Sequence, residues 1–276
     1  MTFIEKLAAA VRKNKSRLCI GLDPDPVLMP AGIDIHEFNK AIIDATCDLV
    51  CAYKPNFAFF EAHAQSCPDD LRRTILHIPR DIIIIGDAKR GDIGNTSKAY
   101  AKAIFDDLGC DAATVNPYLG FDSVEPFLQY EEKGVFILCR TSNSGAADFQ
   151  SLRCETGNGL RPLFEIVAEK ANAWNKLGNV GLVVGATAPE ELMRIRQNYP
   201  DMPLLIPGVG AQGGDIAQVV LNGFDTKSER TIINSSRQII YASRGKDFAE
   251  AARKAAQTLR DQINGYLPST SGKQNV

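Results

Sequence analysis

Short apolar runs rich in Val, Ile and Leu alternate with longer amphipathic stretches along the whole chain. The stretches at 35–48 and 160–176, for example, carry apolar residues at helical spacing. Eight short runs have the pattern of buried strands, at 18–22, 50–54, 81–86, 112–116, 135–140, 180–184, 204–206 and 231–234. The alternation predicts parallel strands joined by helices that cross back over the sheet.

Eight strand–helix units within roughly 230 residues fit a closed (β/α)8 TIM barrel better than an open sheet. No Pro/Ser/Gly-rich linker or block of like charge divides the chain, so one barrel domain over residues 1–267 is predicted. Residues 268–276, PSTSGKQNV, predict a flexible C-terminal tail. The polar segment 141–161 is long for a connection, and that length is typical of a lid or of a disordered loop.

Charge and hydropathy exclude several classes of partner. Across 276 residues, 31 Lys and Arg stand against 33 Asp and Glu, a formal net charge of −2. The chain therefore lacks the positive field that binds nucleic acid or an anionic membrane. Its apolar runs are far shorter than the ~20 residues that cross a bilayer, and the first residues lack the pattern of a secretory signal. Seven cysteines form no CxxC pair, which favours free thiols in the cytoplasm.

Charged residues follow the predicted strands at the points where the strands end. Asp23 follows the first strand, Lys54 ends the second, and Asp87 and Lys89 follow the third. In a barrel these ends share one mouth, where active sites lie. Asp87 and Lys89 are two residues apart, so an extended backbone directs both side chains to one side. Such a cluster of lysines and carboxylates keeps the lysines protonated and suits proton delivery to a carbanion.

The same segment has a second interpretation. Residues 87–92, DAKRGD, also fit an exposed charged turn in which Asp92 caps the helix that follows. The residues of this segment alone do not decide between a turn and a catalytic cluster, but Lys54 and Asp23 favour the cluster.

A glycine-rich segment follows the predicted seventh strand. GVGAQG at 208–213 fits G-x-G-x-x-G, but no acidic residue about 20 positions later completes a dinucleotide-binding unit. Exposed backbone N–H groups followed by a helix, with Arg237 after the eighth strand, suit a phosphate monoester instead. Phosphate sites of barrels commonly lie after strands seven and eight. The alternative is a surface turn beside an unrelated arginine.

The histidines and hydroxyl residues point to no further chemistry. His36, His63 and His77 have no metal-ligand spacing, so we predict structural roles for them and no metal site. No GxSxG sequence supports a serine hydrolase.

With these residues assembled, the chain resembles the orotidine 5′-phosphate decarboxylase family, in its bacterial and protozoan-type subgroup. The central motif is D-x-K-x-x-D-I-x-x-T, formed by Asp87, Lys89, Asp92, Ile93 and Thr96. Supporting stretches are GLDPDP at 21–26, KPNFAFFE at 54–61, TVNPYLG at 114–120, RTSN at 140–143, VGAT at 184–187 and PGVGAQGG at 207–214. The similarity runs from about residue 19 to residue 243. It implies a cofactor-free conversion of orotidine 5′-phosphate to UMP and CO₂ in de novo pyrimidine synthesis.

The resemblance also implies roles for the charged residues. Lys89 would protonate C6 as CO₂ departs, and Asp87 would face the substrate carboxylate. Lys54 and Asp23 would contact the ribose hydroxyls and hold the charged cluster, and Lys54 would count among the catalytic residues with Asp87, Lys89 and Asp92. Asp92 and Thr96 would reach into the site of the neighbouring subunit, so the resemblance implies a homodimer with shared active sites.

Further positions follow from the same resemblance. Ser142 corresponds to the residue that recognises the pyrimidine, although the segment 141–161 is longer and less regular than a compact lid. Gln212 and Arg237 correspond to the phosphate grip. The backbone of the phosphate loop is expected at Gly208, Gly210, Gly213 and Ser236.

Two other functions stay open at this point. A related sugar-phosphate decarboxylase of the same barrel superfamily shares D-x-K-x-x-D but uses Mg²⁺ on an enediolate. A nucleotide-binding barrel without catalysis would keep the same pocket.

Overall fold

The computed structural model describes residues 1–63, 69–157, 159–209, 215–225 and 229–267. The strands are β1 (Leu18–Leu22), β2 (Ala52–Pro55), β3 (Ile83–Arg90), β4 (Ala112–Val115), β5 (Gly134–Arg140), β6 (Arg153–Thr156), β7 (Gly159–Pro162), β8 (Val180–Val184), β9 (Leu204–Pro207) and β10 (Thr231–Ser235). Eight of them close into a parallel barrel in the order β1-β2-β3-β4-β5-β8-β9-β10, and β10 pairs with β1. The predicted (β/α)8 barrel is confirmed.

Helices connect the strands and cover the barrel. They are α1 (Phe3–Asn14), α2 (Ile35–Thr46), α3 (Phe57–Glu61), α4 (Asp70–His77), α5 (Gly94–Lys102), α6 (Phe121–Leu128), α7 (Leu163–Trp174), α8 (Pro189–Asn198), α9 (Ile216–Gly223), α10 (Arg237–Ile240) and α11 (Phe248–Gly265). Local sequence fixes several helix starts. A capping box of Thr2 and Glu5 begins α1, and the Asp34 carboxylate accepts from the Glu37 N–H at the start of α2. None of the described helices is long and apolar enough to span a membrane.

Apolar side chains fill the barrel and close its amino-terminal end. Phe136 of β5 is one of these apolar residues inside the barrel. The Phe3 ring of α1 packs edge-on against the Phe136 ring, with 5.8 Å between the ring centroids. Gly134 permits that approach, because a Cβ there would lie 2.7 Å from the Phe3 ring. Since α1 covers this end, the carboxyl ends of the strands form the open mouth.

Two segments differ from the sequence prediction. Strand β3 continues to Arg90, so Asp87 and Lys89 lie within the end of the strand and not after it. The segment 141–161 holds a 3₁₀ helix (Ser144–Asp148) and the antiparallel β6–β7 pair. Because β7 uses residues up to Pro162, α7 begins at Leu163 and not at residue 160.

The structure tests the prediction of free thiols but not the prediction of a flexible tail. The described cysteines are free thiols, as predicted, namely Cys19, Cys47, Cys51, Cys110, Cys139 and Cys154. Cys67 and the predicted tail at 268–276 lie outside the described residues.

Candidate active site

A carboxylate held between two lysines lies at the barrel mouth. Lys54, on β2, places Nζ 2.5 Å from Asp87 Oδ2, and Lys89 places Nζ 2.6 Å from Asp87 Oδ1. Strands β2 and β3 are paired, and an isolated bridge continues that pairing from Asn56 to Asp87. The structure thus brings together the lysines and the carboxylate that the sequence assigned to one site.

Burial makes this charged cluster depend on its pairing. Lys54 and Asp87 are each 6% exposed. Burial alone lowers the pKa of Lys54, but the negative charges of Asp87 and Asp23 outweigh it and raise that pKa above its ordinary value. Burial alone raises the pKa of Asp87, but Lys54 and Lys89 hold it well below its ordinary value. Asp87 and Lys54 are therefore both ionised at neutral pH, and loss of either leaves a buried charge without its partner.

The backbone at Lys89 is strained. Its φ of +48° lies in the left-handed region, which a residue with a side chain rarely adopts. Asp87 and Lys89 meet as predicted, but not through the regular alternation of an extended strand. Backbone strain of this kind persists only where surrounding contacts hold it, and it is common at active sites.

Thr114 also contacts this cluster, and the sequence interpretation gave it no role. It lies on β4, is buried, and its hydroxyl donates to Asp87 Oδ1 at 2.9 Å. The signal available in the sequence was a single hydroxyl residue in an otherwise apolar strand, AATV.

A cavity of about 170 Å³ lies beside this cluster, and Lys54 forms part of its lining. Its lining includes Asp23, Gly208, Ser236 and Arg237. The Ser236 hydroxyl lies within hydrogen-bond distance of two acceptors, the Asp23 carboxylate at 2.7 Å and the backbone carbonyl of Gly21 at 3.0 Å. The second carboxylate oxygen of Asp23 is buried and has no hydrogen-bond partner among the described residues. That oxygen can accept a hydrogen bond from a bound hydroxyl group.

The predicted phosphate loop is described only in part. Gly208 has a φ of +96°, which glycine adopts without strain, and it lines the cavity with Ser236. Gly210, Gln212 and Gly213 lie outside the described residues.

Ser142 follows β5 and lies against the end of β8. A Cβ at Gly185 would come within 2.8 to 2.9 Å of the backbone and Cβ atoms of Ser142. The Gly185 N–H donates to the Arg140 carbonyl at 2.7 Å, which ties the two strand ends together. The absence of a side chain at residue 185 therefore permits Ser142 to lie this close to the end of β8.

Asp92 and Thr96 do not join the Asp87 cluster within the described chain. Asp92 is half-buried, and its carboxylate accepts from the adjacent Ile93 N–H at 2.8 Å. Ile93, and not Asp92, is the N-cap residue of α5, and it has no side-chain cap bond. The capping role considered for Asp92 is therefore not observed, and Thr96 is exposed on α5.

An apolar surface patch lies beside Asp92, on the two segments that lead into α5 and α6. It consists of Ile93, Tyr118, Leu119 and Phe121, which are between 43% and 79% exposed. The two segments are adjacent, because a Cβ at Gly91 would lie 3.1 Å from Asn116. Exposed apolar patches of this kind mark interaction surfaces.

Two of the histidines contact each other where α2 packs against α4. The His36 and His77 rings meet edge-on at 6.4 Å, and His77 Nε2 lies 2.6 Å from an oxygen of Asp44. In the described ranges, no three His, Cys, Asp or Glu side chains are arranged to hold a metal ion.

Comparisons with known proteins match this chain to one family. A family model described as "Orotidine 5'-phosphate decarboxylase / HUMPS family" matches residues 16–255. A protein of Dehalococcoides mccartyi named orotidine 5′-phosphate decarboxylase is 55% identical over 266 residues, covering 96% of this chain and 98% of that protein. A protein of the same name from Ralstonia nicotianae is 52% identical over 275 residues, with coverage of 96% and 99%. The solved OMP decarboxylase structure of Leishmania donovani has a TM-score of 0.83 at 39% identity, covering 96% of this chain and 99% of that chain.

Proposed function

Because this chain belongs to the orotidine 5′-phosphate decarboxylase / HUMPS family, we propose that Lys89 at the barrel mouth is the proton donor of its reaction. The chain is a carboxy-lyase that converts orotidine 5′-phosphate to UMP and CO₂ in pyrimidine biosynthesis. The observation that supports the assignment of roles is the buried Asp87 carboxylate with a lysine ammonium on each oxygen.

The reaction needs a proton at one carbon. The bond between C6 of the pyrimidine and its carboxylate carbon breaks, and the electron pair stays on C6. Lys89 Nζ gives a proton to C6, so that substrate and one proton become UMP and CO₂. Asp87 faces the substrate carboxylate and holds the Lys89 ammonium through the 2.6 Å ion pair. A donor fixed beside the developing carbanion stabilises it as charge appears.

The remaining residues place the substrate. The free carboxylate oxygen of Asp23 and the ammonium of Lys54 bind the ribose hydroxyls. Arg237, with the backbone of Gly208 and Ser236, binds the phosphate. Gly210, Gln212 and Gly213 complete this phosphate site, and Ser142 binds the pyrimidine. The phosphate lies far from C6, so its binding energy can close the loops and exclude water, which raises the rate.

Removal of the Arg237 guanidinium is expected to weaken substrate binding. Arg237→Ala should raise KM for orotidine 5′-phosphate by about 30-fold, because a charge-assisted hydrogen bond to phosphate is lost. Arg244→Ala is the matched control, since Arg244 is exposed a few residues later. Steady-state kinetics check both variants, and an unchanged KM in Arg237→Ala would remove this residue from the phosphate site.

A methyl group at residue 185 is expected to displace Ser142. Gly185→Ala should raise KM by roughly tenfold, because the new Cβ meets Ser142 backbone atoms that cannot rotate away. Gly145→Ala is the control. Gly145 lies in the segment that carries Ser142, and a Cβ there makes only ordinary contacts at 3.6 Å. A wild-type KM in Gly185→Ala would contradict the proposed role of Ser142 in binding the pyrimidine.

We further propose a homodimer in the cytoplasm. The apolar patch of Ile93, Tyr118, Leu119 and Phe121 lies beside Asp92 and Thr96, where a partner would cover it. In such a dimer, both polar residues reach into the partner's site. The biosynthetic role of the named relatives and the free thiols support the compartment.

One spectroscopic assay tests the reaction and its proposed independence from metal ions. Orotidine 5′-phosphate is followed by its ultraviolet absorbance as it becomes UMP, with and without EDTA. We expect equal rates. Loss of activity with EDTA would indicate a metal-dependent sugar-phosphate type of enzyme, and tight binding without spectral change would indicate a non-catalytic nucleotide-binding barrel.

A further inference from the structure

We propose that Thr114 is a positioning residue that holds Asp87 and Lys89 in their working geometry. This inference rests on the proposed roles of Asp87 and Lys89, and it concerns a residue that touches neither the reacting carbon nor the phosphate site in that proposal.

The Thr114 hydroxyl makes two hydrogen bonds to the catalytic segment. It donates to Asp87 Oδ1 at 2.9 Å, and it accepts from the backbone N–H of Lys89 at 3.0 Å. Thr114 is 1% exposed, so water cannot readily replace either bond. One side chain thus fixes the carboxylate and the backbone that carries the proposed proton donor.

The pairing of β3 with β4 explains why the Lys89 backbone needs this contact. Gly86 is paired with Ala113, and Arg90 is paired with Val115. Three residues of β3 (87–89) therefore lie opposite the single residue Thr114 of β4. The intervening residues bulge from the ladder, and Lys89 adopts its left-handed φ of +48° there. Bulges next to active sites redirect side chains and leave backbone groups without ladder partners. The Thr114 hydroxyl supplies the missing acceptor for the Lys89 N–H.

Removal of the hydroxyl should impair turnover more than substrate binding. Thr114→Val keeps the β-branched shape that suits a buried strand, but it removes one donor from Asp87 and leaves the Lys89 N–H unsatisfied. Small displacements of a catalytic group cost as much as 100-fold in rate. We therefore expect kcat to fall by about 30- to 100-fold and KM to change less than about threefold. Thr114→Ser restores the hydroxyl and should keep kcat within about fivefold of the wild-type value.

Thr231→Val is the matched control for this experiment. Thr231 is also a buried strand threonine, and its hydroxyl likewise makes two bonds, donating to the Gly223 carbonyl and accepting from Arg196. It begins β10, at the end of the barrel opposite the mouth. Thr231→Val should lower the thermal midpoint while leaving kcat unchanged, which separates loss of a buried hydroxyl from loss of positioning.

The test measures kcat, KM, UMP affinity and thermal unfolding for the three variants. The proposal requires a low kcat in Thr114→Val, near-normal UMP affinity, and recovery in Thr114→Ser. A wild-type kcat in folded Thr114→Val, or an equal kcat loss in Thr231→Val, overturns it. If Thr114→Val does not fold, Thr114→Ala removes the same hydroxyl and is judged by the same criteria. Lys89→Ala is measured alongside, so that failure of the Thr114 proposal can be distinguished from failure of the proposed role of Lys89. Near-normal turnover in Lys89→Ala would refute the proton-donor role itself.

Discussion

Lys89→Ala is expected to abolish decarboxylation while the chain stays folded. The substitution removes the ammonium that protonates C6, and loss of a positioned general acid costs up to about 10⁴-fold in rate. The Lys89 side chain is about half exposed and lies at the barrel mouth, so it adds little to the core. Asp87 keeps its ion pair with Lys54 and its hydrogen bond from Thr114, so no buried charge is left alone.

The measurement pairs kinetics with a check on folding. The ultraviolet assay gives kcat, while circular dichroism and thermal unfolding report on the fold. Lys170→Ala, at an exposed lysine on α7, is the control and should keep full activity. Near-normal turnover in folded Lys89→Ala would reject this residue as the proton donor.

The sequence could predict the barrel because its strands are buried and parallel. Strands of this kind are continuous apolar runs, as in β1 and β8, and amphipathic helices separate them. Residues at the carboxyl ends of such strands must share one mouth, so Lys54 and Asp87 could be assigned to one site before their 2.5 Å contact was observed.

Other features of the site depend on contacts that periodicity does not encode. The end of β3 is polar, GDAKR, so its apolar pattern stops before the strand does. The bulge between β3 and β4 depends on the register of two strands, and Thr114 acquires its role only through that register. The β6–β7 pair is short and none of its residues is buried, so it has no buried face from which a strand could be predicted.

Asp92 decides whether each active site is built from one chain or shared between two chains. Its carboxylate bonds only the adjacent Ile93 N–H among the described hydrogen bonds, and it lies next to the exposed apolar patch. If the patch is covered by a second copy, Asp92 is carried into that copy's site, beside the partner's Lys89. Lys89→Ala and Asp92→Ala should then each be inactive as homodimers.

Mixing these two inactive variants is expected to restore activity. Each heterodimer holds one site with both residues intact and one site that lacks both, so random exchange should restore about a quarter of the wild-type activity per chain. Two different affinity tags verify the exchange, and the ultraviolet assay measures turnover. A mixture of Lys89→Ala with Lys89→Met is the control, because neither chain can supply the missing ammonium. No recovery in the first mixture, with heterodimers present, would show that Asp92 acts within its own chain.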